Sequence, residues 1–350
     1  MRHRTSIIHS GLRHSVFKLS TVEIGSTHRR MFGQFQAQGM ASPRPSNEVE
    51  EFHALLSRSK RVLSLLGAGL SASSGLPTFR GAGGLWRSHD SMSLATPQAF
   101  AADPALVWRF YSYRRHMALT VRPNPAHYAL AALARKMPDF ITLSQNVDGL
   151  SPRADHPKDH LALLHGSLFN VKCNDSRCGY VEENYTDPIV PALDLPDGKD
   201  VTSDEYRTMG GKVDISDPQV QLEVIPRENL PTCPQCRRAL LRPGVVWFGE
   251  ALPDDVVNSV YAYLDEPEKV DLIMVTGTGA KVYHAAGYIE EAREKGAKVC
   301  VVNMDANDTP PGGWKEGDFF FQGDAATIVP ELLRPIIGEV KVPEQEKVKV

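Results

Sequence analysis

Val62-Leu63-Ser64-Leu65-Leu66 runs straight into Gly67-Ala68-Gly69, and this junction constrains the fold more than any other stretch. A short unbroken apolar run reads as a strand buried on both faces. Two glycines at its end let the backbone pass close to a phosphate, with peptide N–H groups turned towards the anion. Gly67-x-Gly69-x-x-Ala72 also satisfies the dinucleotide fingerprint in its alanine-terminated form. Any tight strand-to-helix turn favours glycine, so the match alone leaves an ordinary turn open. The residues further along argue against a dehydrogenase. About 20 residues on, a ribose-binding acid should end a second strand. The chain instead reads Arg80-Gly81-Ala82-Gly83-Gly84-Leu85-Trp86, a flexible loop with no strand pattern. The expectation is a nucleotide without hydride transfer.

The 350 residues can bury a sizeable core, as one large domain or two smaller ones. With 42% hydrophobic residues, 23% charged and a net charge of -3, the composition fits a soluble globular protein. No basic excess points to nucleic acid, and no apolar run is long enough to span a bilayer. The first forty or so residues differ: Arg2, Arg4, Arg13, Lys18, Arg29 and Arg30 stand among Ser, Thr and His, with Glu23 the only acid before Glu48. Such a leader reads as a mitochondrial transit peptide, a disordered basic tail or an over-extended start.

After Ser42-Pro43-Arg44-Pro45-Ser46, residues Asn47 to Ser59 read as an amphipathic helix. Further strands are expected at 140–143, 272–275, 298–302 and 319–321, separated by helical patterns such as Ala285 to Lys295. That alternation predicts a parallel, doubly wound α/β sheet with ligands at the strands' carboxyl ends. A helical insertion from Pro97 to about Met137 interrupts the scheme. So does a stretch from Gly166 to about Gly244, which carries a polar excursion from Tyr180 to Asn229.

Four of the five cysteines fall in two pairs, Cys173-x4-Cys178 and Cys233-x2-Cys236. Four thiolates suit a tetrahedral, structural zinc with no open position for substrate. Read by spacing alone, four ordinary reduced thiols stay possible. Cys300 sits in a strand pattern and reads as core. Gln145-Asn146-Val147-Asp148 follows a strand, and His165-Gly166 comes some twenty residues later. His165 is either a base near neutral pH or a hydrogen-bonded structural residue. Tyr111 and Arg114 share a helix face, which makes either a carboxylate receptor or a solvated surface.

Taken together, these residues closely resemble the sirtuins, the NAD-dependent protein-lysine deacylases. The marks stand in order: Gly67-Ala68-Gly69-x-Ser71, Gly75-x-Pro77-x-Phe79-Arg80, Gln145-Asn146-x-Asp148, His165-Gly166, the cysteine pairs, Val246-Trp247-Phe248-Gly249-Glu250, Gly277-Thr278 and Val302-Asn303. The match covers roughly residues 50–335. The subgroup it looks most like is the sirtuin-5 type, through Phe79-Arg80-Gly81-Ala82-Gly83-Gly84-x-Trp86, Leu94-Ala95-Thr96-Pro97 and Tyr111-x-x-Arg114.

The resemblance implies a Rossmann-like sheet with a smaller zinc-binding module and a helical insertion. It implies a basic leader over 1–45, a catalytic domain over 46–340 and a charged tail over 341–350. Within the domain, the Rossmann-like parts fall at about 46–95, 138–165 and 245–335, the helical insertion at 96–137 and the zinc module at 166–244. The implied reaction consumes NAD and removes malonyl, succinyl or glutaryl from lysine, giving nicotinamide, 2′-O-acyl-ADP-ribose and free lysine. His165 would be the general base, with Asn146 and Asp148 positioning the ribose and the nicotinamide amide.

The implied cofactor set is Gly67, Ala68, Gly69, Ser71, Gly75, Pro77, Thr78, Phe79, Arg80, Trp86, Gln145, Asn146, Asp148, Gly277, Thr278, Gly279, Asn303, Met304, Asp305 and Ala325. Substrate would meet Ala95, Tyr111, Arg114, Val246, Gly249, Glu250, Val282 and Tyr283, and zinc would meet Cys173, Cys178, Cys233 and Cys236. The implied partners are acylated lysines of proteins, with no nucleic acid, no membrane and a monomeric state. Mitochondria are the implied location, with cytoplasm and nucleus as alternatives. Ser73, Gly279, Leu85 and Ala325 depart from the family pattern. A plain deacetylase, a mono-ADP-ribosyltransferase of the same fold and a catalytically weak binding scaffold stay open.

Overall fold

The computed structural model describes residues 44–78, 85–198, 209–279 and 285–343. The leader up to residue 43, the expected cofactor residues Phe79 and Arg80, the expected substrate residues Val282 and Tyr283, and the tail from 344 lie outside the described residues.

Helix α1 (Val49–Arg58) leads into β1 (Val62–Leu66), and a one-turn helix α2 (Gly69–Ala72) follows the glycine turn. A short hairpin, β2 (Leu85–Trp86) and β3 (His89–Asp90), opens the helical stretch α3 (Ser91–Leu94), α4 (Pro97–Ala102), α5 (Pro104–Thr120) and α6 (Pro125–Lys136). Then come β4 (Phe140–Ser144), α7 (Leu150–Arg153) and β5 (Leu161–Leu163). The cysteine-bearing part holds β6 (Gly166–Cys173), β7 (Val181–Glu183) and β8 (Leu241–Val245). The chain returns through α8 (Asp254–Leu264), β9 (Leu272–Thr276), α9 (Gly287–Glu294), β10 (Lys298–Asn303), β11 (Phe319–Gln322) and α10 (Ala325–Ile337).

Proline at N1 with a capping side chain starts three helices of the insertion. Thr96, Asp103 and Asn124 each accept from a backbone N–H of the first turn. The expected strands form where placed, each within a residue or so. The parallel sheet has six strands in the order β11-β10-β9-β1-β4-β5. Its edge strand β5 went unread in the sequence because three residues carry too little pattern. The loop read over Arg80–Trp86 is corrected at its end, where Leu85 and Trp86 pair with Asp90 and His89.

Alternate residues of β1 feed two separate cores. Val62 and Leu66 pack with Phe52, Leu56, Leu130 and Leu333 from α1, α6 and α10. Leu63 and Leu65 pack with Val260, Leu264 and Ile289 from α8 and α9. Burial on both faces explains the unbroken apolar run. A third core joins the hairpin, α5 and the cysteine-bearing antiparallel sheet β7-β6-β8.

From β1 the chain order steps outward through β4 and β5 on one side, and through β9, β10 and β11 on the other. The carboxyl ends of β1 and β9 therefore flank the switch point, where doubly wound sheets open a crevice. The two turns interlock there: Gly67 N–H donates to Thr276 O over 2.9 Å, and Gly69 N–H to Gly277 O over 2.8 Å. Gly277 has φ +65°, and a Cβ on it would stand 2.3 Å from the Leu70 nitrogen, so only glycine fits.

Candidate active site

A cavity of about 1380 Å³ opens at that crevice. The residues after four strands line it: Gly67–Gly69 after β1, Gln145–Asp148 after β4, Gly277–Gly279 after β9, and Asn303–Asp305 at the end of β10. Its volume exceeds the ~300–1,000 Å³ of ordinary small-molecule sites.

At its centre, Ser71 Oγ donates to Asp148 Oδ2 over 2.7 Å, and Asn146 Nδ2 donates to Gly67 O at 3.0 Å and Ser71 Oγ at 3.3 Å. The other Asp148 oxygen accepts from Leu150 N–H at 2.9 Å. Beneath them His127 is buried, and burial pulls it down to about 4, so it is neutral. Its Nδ1 accepts the Asn124 N–H, which leaves Nε2–H directed at Ser71 Oγ, 3.4 Å away. The carboxylate and carboxamide are thus held in fixed orientations.

His165 sits at the end of the turn between β5 and β6, with Nδ1 3.1 Å from Gln145 O. A carbonyl only accepts, so Nδ1 carries the proton and Nε2 keeps the lone pair a base needs. The next residue shows why glycine comes after it. Gly166 has φ +73°, and a Cβ there would lie 2.2 Å from Gly244 O.

Another wall comes from α5. Tyr111 and Arg114 both line the cavity, together with Ala95, Met117 and Trp247. Burial raises the Tyr111 pKa, so the phenol stays neutral and able to donate. Burial lowers that of Arg114, while Tyr111 and Asp148 push it back up. An arginine stays charged through such opposition. Behind them, Trp247 Nε1 donates to Tyr111 Oη over 3.0 Å. The indole is itself fixed: Arg242 Cζ stacks 3.3 Å over its ring, and Arg242 pairs with Glu250 at 2.5 and 2.8 Å.

The four cysteines converge. Their sulfur atoms all lie within 4.8 Å of one another, with Cys173–Cys236 and Cys178–Cys233 both at 3.7 Å. A tetrahedron with Zn–S bonds of about 2.3 Å has edges of about 3.8 Å, so the donor set fits zinc. Backbone amides of Arg238 and Ala239 hold the Cys236 thiol down at about 6, while burial pushes Cys173 up to about 12. The wide first spacing is absorbed by a turn in which Cys178 N–H donates to Asp175 O at 2.9 Å.

Most expected site residues meet in this one cavity, including Pro77, Thr78, Met304, Ala325, Val246, Gly249 and Glu250. Two do not. Trp86 is 2% exposed, its ring 5.5 Å from Phe110 and 6.4 Å from Tyr113, so it belongs to the core. Gly75 is also absent from the lining; at φ +98° it closes the turn after α2. Sequence reading gave no role to Trp247, Tyr113 or Asp324, which do line the cavity. Asp324 had a visible signal, an Asx cap: its Oδ1 accepts from Ala326 N–H at 2.9 Å and from Ser73 Oγ at 2.5 Å.

Fold and site together define an α/β protein with one large cavity at the carboxyl ends of its parallel strands and a four-cysteine cluster that fits a metal ion. The Sir2 family pattern matches residues 67–284. A Candida albicans protein named NAD-dependent protein deacylase is 44% identical over 306 residues, 84% of this chain and 100% of that one. Mitochondrial NAD-dependent protein deacylase sirtuin-5 of Canis lupus familiaris is 40% identical, covering 84% of this chain and 88% of its own. A Sir2 homologue solved in complex with NAD superposes with a TM-score of 0.66 at 32% identity, over 84% of this chain and 96% of that one. A mutant homologue holding 2′-O-acetyl ADP ribose superposes with a TM-score of 0.64 at 34% identity, over 82% and 96%. The chain belongs to the Sir2 family.

Proposed function

We propose that this chain is an NAD-dependent protein deacylase that removes malonyl, succinyl and glutaryl groups from lysine side chains. The observation that carries the reading is the pair Tyr111 and Arg114, one helical turn apart on α5, in the wall of the cavity that also holds His165. The names of the Candida albicans and sirtuin-5 relatives, and the NAD-bound homologue, support the coarser part.

NAD, when bound, supplies an electrophilic ribose carbon and leaves as nicotinamide and 2′-O-acyl-ADP-ribose. The chain's own groups do the rest. Arg114 offers two parallel donors to the acyl carboxylate and Tyr111 offers a third. Ala95, a single methyl, leaves length for the dicarboxylic chain. A neutral acetyl brings no charge to offset desolvation of the guanidinium. His165 Nε2 takes the proton from a ribose hydroxyl, and Asn146 and Asp148 orient the ribose and the carboxamide. Backbone at Val246, Gly249 and Glu250, and near Val282 and Tyr283, would pair with the peptide as an added strand. By the family resemblance, Ala68, Phe79 and Arg80 would line the cofactor channel, with Phe79 shielding the reactive carbon from water. The four cysteines hold a structural zinc. We extend the reading to a mitochondrial location, supported by the relatives' names; imaging a tagged chain with and without residues 1–40 tests it.

Mass spectrometry of acetyl, malonyl, succinyl and glutaryl peptides incubated with NAD tests activity and preference at once. Turnover of the acidic peptides above acetyl is expected, and His165→Tyr should abolish all of it. Acetyl turnover alone, or ADP-ribosyl transfer without deacylation, would overturn the reading.

A further inference from the structure

The excursion between the cysteine pairs has no part in the chemistry proposed above, yet it is built onto the helix that carries the acyl-binding pair. Tyr111, Arg114 and Ala118, spaced i, i+3, i+7 on α5, line the cavity. Arg109, Tyr113 and His116, spaced i, i+4, i+7, face the excursion, and Arg109 and His116 are hydrogen bonded to it. The Arg109 guanidinium donates to Glu223 O. Tyr113, which also lines the cavity, faces Ser216 and Asp214, and burial raises its pKa to about 12. His116 contacts Met209 O and Asp187 Oδ2, both at 2.7 Å.

The same segment is fastened a second time from the hairpin. Arg87 stands at φ 56° in the β2–β3 turn. Its Nη1 donates to Ile215 O at 2.9 Å and Asp217 O at 3.0 Å, and its Nη2 to Pro218 O at 3.0 Å and Val220 O at 2.9 Å. Its own amide donates to Ser216 O at 2.8 Å. Those carbonyls belong to no helix or strand, so one guanidinium supplies what a sheet would have supplied. Next to it, Trp86 packs on Phe110 and Tyr113. Met209 and Ile215 are buried in the core that contains Tyr111.

We infer that residues 209–223 brace the outer side of α5 and thereby set acyl selectivity, with Arg87 the positioning residue that locks the brace. The inference rests on the acidic-acyl reading above. A carboxylate gripped by a planar fork tolerates less displacement than an apolar methyl does. Loosening the brace therefore costs the dicarboxylic substrates first.

The test is steady-state kinetics of the full-length, zinc-loaded chain on succinyl and acetyl peptides, for the unaltered protein, Arg87→Lys and Arg109→Gln. Lysine keeps the charge but cannot serve four carbonyls from a planar fork. We expect the succinyl KM to rise about tenfold in Arg87→Lys, with acetyl kcat within about twofold. Arg109→Gln, which releases the other end of the segment, should move the succinyl KM the same way by a few-fold. Hydrogen exchange should quicken in both 209–223 and α5. If the unaltered chain shows no succinyl preference, the acidic-acyl reading fails. If that preference exists and persists in both variants while exchange in 209–223 quickens, the brace inference alone is overturned.

Discussion

Trp247 Nε1 donates to Tyr111 Oη over 3.0 Å, with both rings buried against the cavity wall. That bond occupies one acceptor site of the phenol and leaves its O–H to be donated elsewhere. Replacing Trp247 with Phe keeps an aromatic ring near Arg242 but removes the donor. A buried polar atom left unpaired costs roughly 1–3 kcal/mol. Trp247→Phe should therefore lower the melting temperature and raise the succinyl KM about tenfold, with acetyl turnover changed much less. An unchanged succinyl KM would show that the indole has no part in aiming the phenol.

Arg114→Met keeps much of the side chain's bulk while deleting the fork. Truncating one partner of a desolvated charge pair typically costs about 2–5 kcal/mol. Desuccinylation should fall by about a hundredfold or more, and deacetylation should hold or improve. Parallel kinetics on the two peptides decide it; equal losses would argue against carboxylate recognition.

Two buried imidazoles give stability a pH dependence. Burial takes His127 and His156 from 6.5 to about 4. The unfolded chain takes up those protons first, so the contribution is complete above about 6.5 and is lost as pH falls towards 4. His116 has the opposite sign. Its hydrogen bond to Asp187 raises its pKa, so its contribution is complete below 6.5 and fades as pH rises through the folded value. Denaturant melts from pH 7 to pH 4 should show falling stability. His156→Gln, which can still face Thr142 and Pro157, should flatten the slope; an identical slope would assign the acid lability elsewhere.

Removing metal should reach the cavity wall, because Cys173 and Cys233 lie in the same core as Trp108, Tyr111 and Trp247. Trp108 Nε1 also donates to Leu241 O, on the strand just after the second pair. A strong chelator, or Cys233→Ser, should release zinc measurable by a colorimetric dye, lower the melting temperature and abolish turnover of every acyl peptide. Full activity in metal-free protein would refute a structural role.

Much of this was legible in the order of residues alone. The apolar run Val62–Leu66 ending in Gly67 named a strand buried on two faces and the turn after it, because burial and glycine's freedom are local consequences of composition. The Asn146, Asp148 and His165 motif could be placed after strands for the same reason. The structure places Trp86 against Phe110 and Tyr113, a packing that sequence could not show, since a conspicuous aromatic beside a glycine loop looks the same whether it faces a ligand or a core. The sequence by itself determined the alternation of strands and helices, the ligand-bearing turns and the four sulfur donors, all set by neighbours along the chain. Tertiary structure alone decided that Trp247 stands behind Tyr111, that Ser71 links to Asp148, and that Arg87 gathers the carbonyls of 215–220. Those pairings join residues between about 77 and 136 positions apart, and only the packing of whole elements chooses among such distant partners.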